Sequence, residues 1–416
     1  MEIKAPKGTK DVLPQDSYKW QYVENIVREI TALYGYREIR TPVFEHTELF
    51  LRGVGDTTDI VQKEMYTFED KARRSVTLKP EGTAGVARAF IESGLAAEAQ
   101  PTKLYYLSTP VFRYERPQSG RLREHHQFGI EVFGAPDASV DAEVISVALT
   151  LFERLKIGNL RLNVNSIGCP GCRPAYHEKL KEYLRENFDA LCPLCKDRFE
   201  KNPLRILDCK EEKCRALVQK APVMIDCLCE ECGAHFTALQ TYLKALGTAY
   251  SVNPFIVRGL DYYTKTVFEI ISDSIGAQGT VCGGGRYDGL VKEIGGPPMA
   301  GIGFGLGIER LLLVMENEGI AIPAPAHVDV MVVSHGEAAR AEAVKLVAEL
   351  RRAGAKADMD HTGRSVKAQF KYAGKLGVKK VLVLGEDELK NNTVLVKDME
   401  NGGEKAVDRN LIIEMN

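Results

Sequence analysis

The stretch Leu104–Gly134, LYYLSTPVFRYERPQSGRLREHHQFGIEVFG, constrains the chain more than any other. Leu104–Glu115 and Arg121–Phe133 are rich in aromatic and β-branched residues, and Pro117-Gln-Ser-Gly120 puts breakers between them. That pattern predicts two antiparallel strands joined by a polar turn. Side chains alternate across a strand. In the second strand Leu122, Phe128, Ile130 and Val132 therefore pack inward, while Arg121, Arg123, His125, Gln127 and Glu131 form one polar row. Arg113 and Glu115 face that row if the pairing is in register, and Gly129 within it leaves room for a ligand. Such a row is either the solvated face of an antiparallel sheet or a binding surface.

Upstream, Trp20, Val23, Ile26, Val27, Ile30, Leu33 and Tyr34 fall at helical spacing from about Ser17, and Gly35 stops the helix. Tyr36–Phe44 reads as a strand carrying a Pro, so it belongs at an edge or an interface. Core packing and a dimer face both suit this unit. Leu51–Lys79 is polar and reads as partly mobile. Ser75–Leu78 is a short strand, and a helix follows at about Ala84–Glu92. Glu81 and Thr83 sit at the turn between them, where Thr83 suits a cap and Glu81 compensates the helix dipole.

After the hairpin come a helix at Ser139–Leu155 and a strand at Leu160–Val164. Nine of the ten cysteines then lie between Cys169 and Cys232, which marks a small helical insertion. The pairs Cys169/Cys172 and Cys192/Cys195 are 19 residues apart, a zinc-ribbon spacing. A right-handed crossover gives another pairing. Cys169 and Cys172 follow a strand, and Cys229 and Cys232 open the helix that leads to the strand Ala249–Asn253, so the two pairs would meet. Either set would hold a structural zinc; buried or idle thiols are the plain alternative. Ile256–Ile271 reads as two strands about a tight turn near Gly259, with Arg258, Asp261, Tyr262 and Tyr263 at the turn.

Gly283–Gly285 either bring backbone close to something or make a sharp bend, and no P-loop follows them. In Ala300–Val314, Gly301, Gly303, Gly305 and Gly307 alternate with Ile302, Phe304, Leu306 and Ile308. One face of that strand carries no side chains, and a flat ligand can lie there. Arg310 stands in the first turn of the next helix, the wrong charge for the dipole, so it serves something anionic. Gly319–Ala326 is a Pro-rich linker. Beyond it, strands at Val328–Val333, Lys356–Met359 and Val381–Leu384 alternate with helices at Glu337–Ala353 and Ser365–Leu376, a small α/β domain with a mostly parallel sheet.

The length of 416 residues predicts two or three domains, and 55 basic against 57 acidic residues exclude a bulk basic protein. Any nucleic acid must be held by local patches. No apolar run reaches the ~20 residues of a membrane span, and the polar N-terminus lacks a signal core. A cytoplasmic location with reduced or metal-bound cysteines follows as the expectation.

Arg113 and Arg121, Arg258, and Arg310 come from three distant segments, each with ligand-friendly backbone. One sheet carrying all four would bind a polyphosphate, since the guanidinium fork is bidentate and permanently charged. At these residues the chain resembles the class II aminoacyl-tRNA synthetases. FRYERPQSGRLREHHQFGIEVFG looks like their motif 2, AGIGFGLGIERLLL like motif 3, and the helix-strand unit through Tyr36–Phe44 is similar to motif 1. RGLDYY from Arg258 and CGGGRYD from Cys282 resemble the two signatures of the histidyl-tRNA synthetase family, and KAQFKYAGKLG from Lys367 resembles its anticodon-binding domain.

The resemblance implies an α+β catalytic domain on a mainly antiparallel sheet at 1–324 and an α/β anticodon-binding domain at 325–416; the Cys-rich helical insertion at about 167–235, marked by composition, is not a feature of every family member. It implies a ligase that activates L-histidine with ATP and Mg²⁺ and charges tRNA-His, working as a homodimer away from membranes. Arg113 would grip the α-phosphate, helped by Arg258, which also touches the histidine carboxylate. Arg121 and Arg310 would hold the outer phosphates. Glu81, Thr83 and Gln127 would receive the ammonium. Glu131 and Tyr263 would bracket the imidazole, with Tyr262 and Tyr287 shaping the pocket. His125 stands where the family usually has a Phe stacked on adenine, and its imidazole would stack there instead. Cys169, Cys172, Cys229 and Cys232 are the expected structural zinc set. The alternative implied is a non-catalytic relative that regulates ATP phosphoribosyltransferase.

Overall fold

A computed structural model describes residues 2–413 except 56, 57, 118, 119, 208 and 210. The chain divides into two compact units, Met1–Ile322 and Pro323–Asn416.

The first unit is built on an eight-stranded sheet. Its strands run in the order Arg37–Glu38, Thr102–Phe112, Glu124–Phe133, Gly301–Gly307, Thr280–Arg286, Thr264–Ser272, Leu160–Ser166 and Ser251–Val252. Only the two short outermost strands pair in parallel; every other pair is antiparallel. The predicted hairpin is the second and third strand, with Leu104 opposite Glu131 and Tyr106 opposite Gly129. The breakers Gln118 and Ser119 of its turn lie outside the described residues.

The alternation read from sequence sets which face is covered. Phe128, Ile130 and Val132 join Ile302, Phe304 and Leu306 in one core, roofed by the helices Pro14–Leu33 and Ala138–Arg154. Fully burying side chains of this size contributes roughly 1.5–3 kcal/mol each. The opposite face carries Gln127, Glu131 and the glycines, and beside them packs Leu104, Tyr106, Phe133 and Val267 against Val86, Phe90 and Leu290.

Two predicted strands differ. Tyr36–Phe44 is not continuous: Arg37–Glu38 edges the large sheet, and Phe44–His46 belongs to a three-stranded sheet with Ser75–Leu78 and Tyr66–Glu69. Pro42 between them has no N–H for a ladder. Residues 256–263 form no strand; only Thr264–Ser272 does. There the Asn165 amide donates to the carbonyls of Pro254 (3.1 Å) and Ile256 (3.2 Å), which takes up acceptors a ladder would have used.

The Cys-rich insertion leaves the sheet after Leu160–Ser166. It runs through the helices Arg173–Glu186, Pro193–Lys201 and Glu212–Val218, and returns on Glu230–Ala245. It has its own small core of Tyr176, Leu180, Leu184 and Phe199 together with Cys172, Cys195, Cys209, Cys214 and Cys232.

The second unit is a five-stranded sheet in the order Ala357–Met359, Val330–Ser334, Lys380–Leu384, Thr393–Asp398, Glu404–Asp408. The first three strands are parallel, and the last two add antiparallel. Among the described residues no helix is long and apolar enough to cross a membrane.

Candidate functional site

The open face of the large sheet carries Gln127 and Glu131, opposite Gly307 and Gly303 of the neighbouring strand. A Cβ added at Gly303 would overlap the Glu131 carboxylate and the Ile130 carbonyl. One at Gly301 would enter the Tyr287 ring, and one at Gly129 the Tyr106 ring. These three glycines therefore make room for the protein's own side chains. That corrects the expectation that Gly129, and the whole bare strand, clear space for a ligand. Gly305 and Gly307 do clear space: the nearest atoms to an added Cβ are Gln127 Nε2 and Tyr106 Oη at 3.8 Å, and Arg310 Cβ at 3.9 Å.

Glu131 is fully buried at the floor of this face. Thr83 Oγ1 donates to its Oε1 at 2.6 Å, Tyr106 Oη donates to the same oxygen at 3.4 Å, and Tyr287 Oη donates to Oε2. Burial pushes its pKa up to about 8, against the pull of these hydroxyls. Glu81 sits at the entry to the helix Thr83–Glu92 and accepts from the N–H groups of Thr83 and Ala84, both at 2.8 Å. The cap is thus Glu81, not Thr83, whose hydroxyl is turned to Glu131. Burial also raises the pKa of Glu81, with those two N–H groups opposing. Tyr262, Tyr263 and Tyr287 close the pocket, with ring centroids 4.7 Å apart for the first pair and 5.6 Å for Tyr262 and Tyr287.

The raised pKa of Glu131 has a measurable sign. The folded state holds a proton that the unfolded chain gives up near 4.5, so between about pH 5 and 8 the folded state binds more protons and stability falls as pH rises. Relative to Glu131→Gln, the protein is expected to lose up to about 1.4 kcal/mol per pH unit across that window. Urea unfolding of both proteins at several pH values checks it; parallel curves would refute a buried, proton-holding Glu131.

The cationic half lies alongside. Arg258, from the irregular segment, lies against Gly283, where a Cβ would fall 2.6 Å from its Nη1. It pairs with Glu269 and stands 6.0 Å from the Tyr263 ring centroid. Arg113 Nε donates to the Pro80 carbonyl at 2.8 Å, and the residue is close enough to Glu81 and His125 to influence both protonation equilibria. Arg121 pairs with Glu115 at 3.3 Å, and Arg310 Nη1 donates to the Thr280 carbonyl at 2.7 Å. Burial, then the neighbouring Arg121, lowers the pKa of Arg310. Burial, then Arg113, pushes His125 down to about 3, so its ring is neutral. His125 Nδ1 and Gln127 Oε1 are buried without a hydrogen-bond partner among the described residues. Each such atom costs about 1–3 kcal/mol, which a bound polar ligand would recover.

A cavity of about 590 Å³ lies elsewhere, between the N-terminal lead-in and the helix Ile308–Asn317, lined by Val12, Trp20, Leu122 and Leu312; none of the predicted site side chains lines it. Two residues of this region were not anticipated. Tyr106 fills the notch at Gly129. Arg286, inside the Gly-rich signature, is fully buried and bonds Asp141, Asp288 (3.2 Å) and the carbonyls of Ala135 (2.9 Å) and Asp137 (3.2 Å). It pins strand to helix. Its neighbours Gly285 and Tyr287 were the available signal.

In the insertion, the Sγ atoms of Cys169, Cys172, Cys229 and Cys232 all lie within 4.8 Å of one another, as the crossover geometry requires. Cys192 and Cys195 join Cys209 and Cys214 in a second such group, so the ribbon pairing with Cys169/Cys172 does not form.

The family model "Histidyl-tRNA synthetase" matches residues 8–311, and "Anticodon binding domain" matches 327–415. Curated proteins named histidine–tRNA ligase are similar at 61% identity in Caldanaerobacter subterraneus subsp. tengcongensis and 59% in Clostridium botulinum. Each match covers 98% of this chain and 97% of the relative. Among solved structures, apo histidyl-tRNA synthetase of S. aureus superposes with a TM-score of 0.86 at 41% identity, covering 100% of this chain and 99% of that one.

Proposed function

The chain belongs to the histidyl-tRNA synthetase family, and from that membership we infer that it activates L-histidine with ATP and transfers the histidyl group to the 3′ end of its tRNA. The observation that carries the site assignment is the buried Glu131, ringed by hydroxyls on the sheet face that also carries Gln127 and the open Gly305 and Gly307. Neutral imidazole has one donor and one acceptor, so a carboxyl group and a tyrosine can satisfy both and reject an apolar isostere.

In this reading Glu131 and Tyr263 bracket the imidazole, and Tyr262 and Tyr287 shape its slot. Glu81, Thr83 and Gln127 receive the ammonium; Gln127 Oε1, buried without a partner among the described residues, supports that role. Arg258 holds the histidine carboxylate and, with Arg113, the α-phosphate. Arg121 and Arg310 hold the outer phosphates, and the adenine lies over Gly305 and Gly307 beside His125. The carboxylate oxygen attacks the α-phosphorus in line, forming histidyl-adenylate as the bond to the pyrophosphate breaks. The acyl carbon is then attacked by a terminal ribose hydroxyl of the tRNA, and AMP leaves. The residues position and neutralise charge; Mg²⁺ on the phosphates would add to that neutralisation. No side chain is assigned as a dedicated base.

The C-terminal unit would read the tRNA, with Lys367, Lys371 and Lys375 exposed along one helix for its phosphates. Exposed Leu33 and Phe44 support a homodimer through the N-terminal helix and the strand Phe44–His46. Cys169, Cys172, Cys229 and Cys232 would hold a structural zinc. A cytoplasmic location accords with these partners. The regulatory-subunit alternative is not favoured, given 61% identity over 98% of the chain to a named ligase.

Histidine-dependent exchange of pyrophosphate into ATP tests the reading. We expect exchange with L-histidine and none with the other amino acids; a folded protein without exchange would overturn it.

A further inference from the structure

We propose that Cys192, Cys195, Cys209 and Cys214 hold a second structural zinc ion, which clamps the segment 198–205 against Asp59 and Asp261 beside the histidine pocket.

The sulfur geometry is that of a metal centre. Four thiolates about one zinc at 2.3 Å stand about 3.8 Å apart. Cys192 Sγ and Cys209 Sγ are 3.8 Å apart, and all four sulfurs lie within 4.8 Å of one another. A disulfide would need about 2.05 Å. The Cys192 N–H donates to Cys214 Sγ at 3.3 Å, the kind of outer bond that orients a metal-bound thiolate. The first group shows the same device, with Cys229 N–H on Cys172 Sγ at 3.1 Å. Cys195, Cys209 and Cys214 are buried, so the site is dry on three sides.

The local chain needs such a clip. Pro193–Lys201 and Glu212–Val218 have 9 and 7 residues, too short to persist as helices without tertiary support. Their apolar contribution is small, and the cysteines themselves make up much of the core between them.

What the clip holds is the functional point. Between Cys195 and Cys209 the chain reaches out to the loop at Asp59 and to the irregular segment 256–263. Arg198 Nη2 pairs with Asp59 at 2.9 Å, Arg205 Nη2 pairs with Asp261 at 3.0 Å, and Asn202 Nδ2 donates to Asp261 at 3.3 Å. Asp261 is two residues from Tyr263, and its N–H donates to the Val54 carbonyl at 3.1 Å. Arg198 Nη1 donates to the Arg205 carbonyl at 3.2 Å, which ties the two arginines to each other. The segment between the cysteines thus braces both the signature that carries Arg258, Tyr262 and Tyr263 and the loop at Asp59. Asp261, Arg198 and Arg205 act here as positioning residues.

The test is metal analysis of the full-length protein, purified without chelator, with exchange kinetics on the same samples. We expect two zinc ions per chain, one in Cys195→Ser and one in Cys172→Ser. Arg205→Ala should keep both ions and raise KM for histidine about three- to tenfold while KM for ATP and the pH profile stay unchanged. Cys195→Ser should raise it at least as much. One ion that survives Cys172→Ser and disappears in Cys195→Ser also supports this site, while removing the first. No zinc, or a single ion that survives Cys195→Ser, overturns it, as does a Cys192–Cys209 disulfide found by mass spectrometry after alkylation. An unchanged histidine KM in a folded Arg205→Ala variant overturns the clamp. If Cys195→Ser fails to fold, cobalt substitution of Cys172→Ser decides: thiolate charge-transfer absorbance equal to one tetrahedral sulfur site is expected there, and its absence refutes the site.

Discussion

Arg258→Ala is expected to lower histidine-dependent pyrophosphate exchange by about 10²–10³-fold, the usual cost of removing one charged donor from developing phosphate charge. The reason lies in the packing. Arg258 lies flat against Gly283, paired with Glu269, with its guanidinium plane set by those two neighbours. Its Nε is buried without a hydrogen-bond partner among the described residues, so part of its donor capacity is open to a ligand. The substitution also strands Glu269, which costs stability, and urea unfolding must therefore accompany the kinetics. Arg258→Lys keeps the charge but loses the fork, and should recover little of the rate. Exchange within tenfold of wild type in a folded Arg258→Ala protein would sink the role.

Gly303→Ala should be the most damaging single methyl in the large sheet. The added Cβ would collide with the Ile130 carbonyl, which cannot move without breaking the ladder, and with the Glu131 carboxylate. A loss of about 3 kcal/mol or more is expected in urea unfolding, at the upper end of overpacking costs. Histidine-dependent exchange should vanish in whatever remains folded. Gly305→Ala, two residues on, meets nothing nearer than 3.8 Å. It should fold within about 0.5 kcal/mol of wild type and raise KM for ATP instead. Equal stability of the two variants would refute the division of the glycine row into a packing half and a ligand half.

The hairpin was legible because a period of two is a local property. Phe128, Ile130 and Val132 declare their face whatever lies across from them. The partner of each glycine is not local. Gly129 and Gly303 read like vacancies, and only the three-dimensional register shows Tyr106 and Glu131 filling them. The same limit applies to residues 256–263, where β-branched and aromatic residues suggested a strand and Asn165, far upstream, took the backbone acceptors. The hairpin Thr393–Asp398/Glu404–Asp408 went unread because its half-exposed strands mix charge with valine, although Asn401-Gly402-Gly403 marked the turn. Cysteine spacing found the first sulfur group through the crossover rule. It could not find the second, because Cys209 and Cys214 form no CxxC pair. The assignment of Glu81, Thr83 and Glu131 to one substrate came from family resemblance; no spacing rule joins them.

The insertion also bears on how the sheet is assembled. The strand Leu160–Ser166 pairs with Thr264–Ser272, so Ser166 must find Thr266 across a sequence separation of 100. Cys169 and Cys229 meet at the neck of that excursion, 4.0 Å apart, having consumed more than half of it. Once the neck is tied, the search left to the strands is that of a much shorter tether. Each halving of loop length is worth only about 0.6 kcal/mol of closure entropy. The larger gain is in sequence of events, because a pairing of high contact order becomes a nearly local one. An appendage outside the catalytic sheet would in this way set the order in which that sheet is completed.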